Sequence, residues 1–374
     1  MRKIVTGIIG CGKGAHLHAQ ALLSLPQVQF KGVYSRNPMT AKAFAQQYGV
    51  EAYPTIEEMA AVGGIEAVVI CTPHPAHAEV AVRACQAGMH ILVEKPLAAS
   101  LQDCDAMLLA AKQHQVTVGT VSQRRFYPAA LRVRQAIEQG KIGKPILGNV
   151  TMLGWRDEAY YRSDPWRGSW RGEGGGVLVN QAAHQIDLLQ WYMGPVDEVF
   201  GFWANLNHAY IEVEDTAVAV IRFRNGALGN ILVSNAQNPA LYGKVHVHGD
   251  NGASVGVQTD GGAMFIAGMS TITEPPINDL WTVKGEEHLL EKWQAEDTAF
   301  FAQIDPMVYF HARQIEDFLR TITDGTRPLV DGEEGRKTVE IFTAIYRSNR
   351  DRRPVKFPLE PEDGEDFDGR LKPQ

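Results

Sequence analysis

Ile4-Val5-Thr6-Gly7-Ile8-Ile9-Gly10-Cys11-Gly12-Lys13-Gly14-Ala15 opens the chain, and these twelve residues decide the fold. The first six form an apolar run of the length of a buried strand, and from His16 to Leu25 the pattern is helical. Between them stands G-x-G-x-x-A. A glycine turn between a strand and a helix lets backbone amides and the helix N-terminus face a pyrophosphate. Such a turn also occurs as a plain structural feature; its place at the head of a β-α-β unit marks it as a dinucleotide site.

The same alternation continues outward from this turn. Phe30 to Tyr34, Ala67 to Cys71, Ile91 to Val93 and Val116 to Val121 read as buried strands. Thr40 to Tyr48, Ala76 to Ala87 and Leu101 to His114 read as helices long enough to cross over a sheet. Residues 1–122 are therefore expected to form an α/β Rossmann domain with a doubly wound parallel sheet. After Gly143-Lys144-Pro145 the runs lengthen and alternate, with strands expected at Gly148 to Leu153, Val199 to Leu206, Thr216 to Phe223, Ala227 to Val233 and Lys244 to His248. Asn225-Gly226 signals a type I′ hairpin. Helices are expected at Asn180 to Tyr192, Met307 to Thr321 and Glu333 to Ser348. Residues 123–358 thus read as an α+β domain with an open, mainly antiparallel sheet, and 359–374 as an acidic, extended or mobile tail.

The end of the second strand in such a domain commonly carries an acid for the ribose hydroxyls, but Val33-Tyr34-Ser35-Arg36-Asn37 has none. Ser35 and Arg36 suit a 2′-phosphate, and a guanidinium also stacks on adenine, so NADP is favoured over NAD. The alternative, Arg36 as a solvated loop residue, stays open.

At 374 residues with 45% hydrophobic and 21% charged residues, the chain has the composition of a folded two-domain protein. A formal net charge of -7 with scattered basic residues argues against nucleic acid or an anionic membrane as partner. No apolar run is long enough to span a bilayer, and the N-terminus lacks the layout of a signal peptide. Cys11, Cys71, Cys85 and Cys104 show no C-x-x-C or metal spacing, which fits reduced thiols in a cytoplasmic protein. The pairs His16/His18, His74/His77 and His246/His248 have ligand-like spacings, but no carboxylate or cysteine completes any set, so no metal is expected.

Several motifs together resemble one family. They are Gly7-Ile8-Ile9-Gly10-Cys11-Gly12 with His18-Ala19, Cys71-Thr72-Pro73 with His77, Val93-Glu94-Lys95-Pro96-Leu97, Arg124-Arg125-Phe126, and Gly174-Gly175-Gly176 leading to His184 and Asp187. In these the chain resembles the Gfo/Idh/MocA oxidoreductases, which include glucose-fructose oxidoreductase and inositol dehydrogenase. The resemblance covers nearly the whole chain. It implies a nicotinamide held by Gly10, Gly12, Lys13, Ala15, His18, Ser35, Arg36, Thr72, Pro73, His77, Glu94, Lys95 and Gln123, facing a second domain whose sheet also joins a homodimer or homotetramer.

Hydride transfer from an alcohol needs a group to take the hydroxyl proton and a donor for the developing oxyanion. Lys95 stands at the carboxyl end of a parallel strand, where open α/β sheets bind ligands. His184 and Asp187 are spaced i, i+3 on one helix face. The resemblance implies His184 as general acid/base, with Asp187 orienting it or binding substrate. Asn180 departs from the family pattern, which often has an aspartate four residues before the histidine; an amide cannot shuttle a proton, so Asn180 is expected to hydrogen-bond a substrate hydroxyl. Trp155 to Arg171 is dense in aromatics and arginines and reads as a substrate-covering loop. Tyr160, Trp166, Arg167 and, on the connection, Arg124 are its candidate substrate ligands. The substrate expected is a small polyhydroxylated molecule: a sugar, glycoside or cyclitol. The alternatives are a nucleotide-sugar dehydrogenase, a glycosidase acting by transient oxidation, and a silent dinucleotide sensor.

Overall fold

The structure is a computed structural model and describes residues 2–261, 274–362 and Arg370. The chain divides into two compact units: the first runs through Gln123 and takes in Met307–Arg336, and the second comprises Arg124–Pro306 and the chain from Lys337.

In the first unit, β1 (Ile4–Ile9), β2 (Val28–Tyr34), β3 (Glu51–Ala52), β4 (Ala67–Ile70), β5 (His90–Val93) and β6 (Val118–Thr120) form one parallel sheet in the order β3-β2-β1-β4-β5-β6. The central strands are buried almost throughout: all four residues of β4 are, as are five of six in β1. That is why they read as continuous apolar runs and not as alternating strands. The order reverses between β1 and β4, so the carboxyl ends of these two strands flank the crevice where doubly wound sheets bind ligands.

One piece of the first unit comes from far along the chain. The helix Pro306–Asp324 presents Ala312, Ile315, Phe318 and Leu319 to the same buried cluster as Ile4, Ile8, Leu22, Val69 and Leu92. Its 3.6-residue period predicts a helix here, and the helix exists. The period does not say which sheet the apolar stripe will cover, and the expectation that it belongs with the second domain is corrected by this packing.

The second unit holds an eight-stranded mixed sheet. Its strands are β7 (Pro145–Leu153), β8 (Val196–Ala204), β9 (Thr216–Phe223), β10 (Leu228–Ser234), β11 (Tyr242–Gly249), β12 (Ser254–Gly261), β13 (Ile277–Trp281) and β14 (Val355–Lys356), in the order β13-β12-β11-β7-β10-β9-β8-β14. Among the described residues only the β7–β10 pair of this sheet is parallel. Along β9, Ala217, Ala219, Ile221 and Phe223 are buried while Val218 and Val220 are exposed. The period of two turns one face to the core and leaves the other open.

Asn225-Gly226 does join β9 to β10, but not as a type I′ turn. Gly226 has φ +87° and Asn225 is not among the residues with positive φ, whereas type I′ requires both. Gly226 N–H donates to Phe223 O and Phe223 N–H to Ala227 O, so the loop is the three-residue kind closed by a left-handed glycine.

Of the expected tail, residues 363–369 and 371–374 lie outside the described residues. Leu359 is buried with its N–H on Glu340, and Arg370 is buried with its guanidinium on Gly174 O and Thr343 Oγ1. At these two positions the chain is packed and not extended into solvent. Among the described residues no helix is long and apolar enough to cross a membrane. The four cysteines are free thiols, and burial pushes Cys11 and Cys85 up to about 12, as suits inert core residues.

Candidate functional site

In the first unit the candidate cofactor residues gather at the carboxyl ends of β1, β2, β4 and β5. Gly10 has φ +95°, and a Cβ there would stand 2.8 Å from the Cys71 carbonyl carbon and 2.9 Å from Thr72 N, so both the conformation and the space demand glycine. Its N–H donates to Tyr34 O at 2.8 Å. Gly12 then opens the helix Lys13–Ser24 with no side-chain cap and no acid in the first turn. That leaves amides and the positive end of the helix dipole for an anion. Lys13 is exposed at the first helical position, and Ala15 is buried against the sheet.

Ser35 is half-buried and Arg36 exposed just beyond β2, while Asn37, also exposed, caps the next helix, its Oδ1 accepting from Met39 N and Thr40 N. At the end of β4, Thr72 Oγ1 is buried without a hydrogen-bond partner, and so is Gln123 Oε1 at the end of the unit. Buried orphan atoms of this kind are costly unless a ligand satisfies them. Pro73 beside Thr72 is exposed. These features fit a nicotinamide dinucleotide.

His77 does something else. It is fully buried, with Nδ1 3.0 Å from Pro96 O and 3.2 Å from Leu97 O, and Nε2 2.9 Å from Thr72 O. Burial lowers its pKa. Both ring nitrogens thus face backbone carbonyls, with the single N–H of the neutral ring donating on one side, and the expected cofactor contact is corrected to a buried ring set between the Thr72 turn and the Pro96 turn.

Glu94 and Lys95 follow β5. Glu94 Oε2 accepts from the Lys95 amide at 3.0 Å, and Oε1 lies 2.6 Å from His18 Nε2. Burial raises the Glu94 pKa, but the His18 hydrogen bond and the charges of His18, His311 and Lys95 outweigh it and bring the group down to about 2. His18 is wholly buried, so its expected contact with the cofactor gives way to this carboxylate. The sequence pairs proposed as possible ligand sets are split: His16 turns to Tyr48, His246 to Asp279 and His248 to Ser254. Yet His18, Glu94 and His311 converge, one ligand atom from each lying within 4.8 Å of the others. The expectation that no carboxylate completes a set is overturned here, because two of the three ligands lie far from His18 in sequence.

In the second unit the entry to the His184 helix is unusual. Ala182 N–H reaches back to Val177 O at 2.8 Å, closing a π-helical turn over Val177–Gln181 before the helix Ala183–Met193 begins. Such turns often mark functional sites. Glu214 holds this entry, its carboxylate accepting from Gly176 N at 2.9 Å, Leu178 N at 3.1 Å and Tyr346 OH at 2.8 Å. Burial pushes Glu214 up to about 7 in spite of these donors. His184 lies in the first turn of the helix and is 7% exposed.

Asp187 is not a substrate ligand. Arg125 grips both its oxygens, Nε at 2.8 Å and NH2 at 2.6 Å, with Thr338 Oγ1 at 3.4 Å. Both oxygens are committed to a bidentate guanidinium, and the expected catalytic role is corrected to a buried ion pair. Arg124 is likewise taken: its NH1 donates to Asp260 and, at 3.1 Å, to Thr259 Oγ1, with Gln185 on the same two groups.

Around Asn180 the expected loop residues do assemble. Asn180 Nδ2 donates to Glu173 and, at 3.2 Å, to Tyr160 OH; Gln181 Nε2 and Arg167 NH1 donate to the same hydroxyl. Arg167 lies between the Tyr160 and Trp166 rings, 4.3 and 4.5 Å from their centroids. The carboxylate absent from position 180 is therefore present as its neighbour Glu173, which is 1% exposed and also accepts from Gly168 N at 2.6 Å. Glu173 escaped the sequence reading because it precedes the glycine run. Its first-turn place in the short helix Trp170–Glu173 was the one available signal.

Two family models match the chain. One, described as "Oxidoreductase family, NAD-binding Rossmann fold", covers residues 4–121, and the other, "GFO/IDH/MocA C-terminal domain", covers 130–255. Among relatives, the chain is 32% identical over 262 residues to the uncharacterized oxidoreductase YrbE of Bacillus subtilis, covering 68% of this chain and 73% of that one. It is 27% identical over 362 residues to the myo-inositol 2-dehydrogenase of Thermotoga maritima, covering 94% and 98%. Among solved structures it resembles the WlbA dehydrogenase of Bordetella pertussis in complex with NADH and UDP-GlcNAcA, with TM-score 0.83 and 30% identity over 96% of this chain and 99% of that one.

Proposed function

Because this chain belongs to the GFO/IDH/MocA oxidoreductase family, we propose that it moves a hydride between a nicotinamide dinucleotide and a secondary carbinol of a sugar, glycoside or cyclitol. The observation that carries the reading is the Gly10 turn, which only glycine fits, feeding a helix whose N-terminus has neither cap nor acid. Gly10, Gly12, Lys13 and Ala15 would hold the pyrophosphate, Ser35 and Arg36 the adenosine end, and Thr72, Pro73 and Gln123 the inner part. Ser35 and Arg36 favour NADP over NAD.

When bound, the nicotinamide supplies the hydride donor or acceptor. Lys95 donates a charged hydrogen bond to the oxygen that develops negative charge, and His184 takes or returns the hydroxyl proton. Asn180, oriented by its bond to Glu173, has its amide fixed for a substrate hydroxyl. Tyr160, Trp166 and Arg167 offer the aromatic faces and donors that suit a polyol ring.

Myo-inositol 2-dehydrogenase and levoglucosan dehydrogenase among the relatives favour a small free polyol. The 30% identity to WlbA, solved with a nucleotide sugar, supports a nucleotide-sugar dehydrogenase as the second reading. The open face of the second sheet, with Phe202, Val218, Val220, Leu228 and Leu232 exposed, supports a homodimer or homotetramer, since an apolar patch of this kind marks an association surface. Light scattering reads the mass directly.

The test of function is absorbance at 340 nm with NADP⁺ and NAD⁺ separately, against myo-inositol, levoglucosan and UDP-GlcNAcA. Coenzyme reduction with one of these supports the reading and separates the two substrate classes. Aglycone release from a glycoside without net reduction would replace it with transient-oxidation hydrolysis; coenzyme binding without turnover on any substrate would leave the sensor.

A further inference from the structure

His18, Glu94 and His311 reach one point from three elements: the helix that follows the glycine turn, the end of β5, and the helix Pro306–Asp324. All three belong to the first unit. Glu94 Oε1 and His18 Nε2 lie 2.6 Å apart and share one proton. His311 Nδ1 lies 2.7 Å from Met307 O, so it is the protonated nitrogen and Nε2 carries the lone pair. No donor to that lone pair is present among the described residues. His18 is wholly buried, with Nε2 shared with Glu94 and Nδ1 lacking any partner.

In this buried setting the three ligand atoms lie within 4.8 Å of one another, close enough for one cation to take the place of the proton that His18 and Glu94 share. The donor set, two imidazoles and one carboxylate, is the one that suits borderline divalent ions, zinc, cobalt and nickel, over calcium or magnesium. The His311 bond to the Met307 carbonyl is the outer-shell contact that fixes the tautomer of a metal-bound imidazole.

We propose that His18, Glu94 and His311 form a binding site for one divalent transition-metal ion of the zinc class. Bonds of ~2.0–2.1 Å in a tetrahedron place ligand atoms ~3.3 Å apart. The His18–Glu94 contact of 2.6 Å opens by that difference, and the proton between them is released on binding. Glu94 Oε2 keeps the Lys95 amide, so the ion would pin the backbone at Lys95 while joining three elements of the unit. The site is independent of which substrate the protein takes.

The experiment uses tag-free, full-length protein, stripped with EDTA and titrated with Zn²⁺ by calorimetry and with Co²⁺ by visible absorption at pH 7.5. The expected result is one ion per chain, with ligand-field bands of a low-coordinate Co²⁺, proton release, and a rise in the unfolding temperature. His311→Ala weakens binding at least about 100-fold, since losing a ligand costs no less than losing an outer-shell partner. Glu94→Gln weakens it comparably, and exposed His114→Ala changes nothing. Absence of a stoichiometric ion in the wild-type protein overturns the proposal and leaves a proton-sharing His–carboxylate cluster. Binding that survives both ligand variants overturns it too. The wild-type titration stands even if a variant fails to fold, and coenzyme fluorescence, read in the same samples, reports on the proposed function separately.

Discussion

Replacing Asp187 by Asn keeps the shape of the side chain and removes its charge. In the native protein its two oxygens accept from Arg125 at 2.8 and 2.6 Å, with side-chain exposures of 6% for Asp187 and 1% for Arg125. The substitution leaves the buried Arg125 guanidinium without the charged carboxylate that holds it at two points. The Trp191 ring, 5.0 Å from the Arg125 carbon, returns only about 1–2 kcal/mol of cation–π attraction and is already in place before the change. Removing one partner of a buried ion pair costs about 3–5 kcal/mol. At about 2–4 °C per kcal/mol for a body of this size, the unfolding temperature falls by roughly 10 °C. Thermal and urea unfolding followed by circular dichroism read the loss. A paired Arg125→Met, Asp187→Leu variant recovers most of it, because no charge is then buried alone. The reasoning is refuted if Asp187→Asn unfolds with the wild-type protein while turnover drops about 100-fold or more, the signature of a proton-transfer role.

Other consequences are as direct. Gly10→Ala and Gly12→Ala part company: a Cβ at 10 strikes Cys71 and Thr72, whereas at 12 nothing lies within 4 Å. NADPH fluorescence titration should show both weakened by about tenfold or more, equal to 1.4 kcal/mol, with the melting temperature lowered only by Gly10→Ala. Arg36→Ala should weaken NADPH by about 10- to 100-fold, the worth of a charged hydrogen bond, and leave NADH unchanged; an unchanged NADPH affinity would show Arg36 to be a solvated loop residue. Glu214 has a folded pKa of about 7, above its unfolded value, so its stabilising contribution is full below the unfolded pKa and is lost as pH rises through 7. Over that window the loss is about 3 kcal/mol at 1.36 kcal/mol per unit. Urea midpoints of the wild type between pH 5 and 8 should fall more steeply than those of Glu214→Gln, and parallel slopes would refute the assignment.

The parts of this fold that were legible in the sequence are those written locally. β1, β4 and β5 are continuous apolar runs because both faces are covered, and Gly10 is dictated by one backbone angle. The parts that were not are long-range pairings between residues whose local contexts carry no sign of each other. Arg124 looks like a substrate-facing cation, and Asp187 like a catalytic carboxylate, until Asp260 and Arg125 are brought to them. His77 has the position of a cofactor ligand, and only the fold shows three backbone carbonyls around its ring. The helix Pro306–Asp324 declares its amphipathic face but not its destination, and with it arrives His311 beside His18 and Glu94. At Asn180 the sequence shows a lost carboxylate; the fold supplies Glu173 next to it.

Hydride transfer itself tests the central claim most directly. With NADPH carrying deuterium at the reactive nicotinamide carbon and the ketone of whichever polyol the screen identifies, the product alcohol should gain one carbon-bound deuterium by mass spectrometry. Lys95→Ala should slow that transfer by about 10²–10⁴-fold, more than it weakens coenzyme binding. Deuterium that never reaches carbon, or transfer at the wild-type rate without Lys95, would contradict the account.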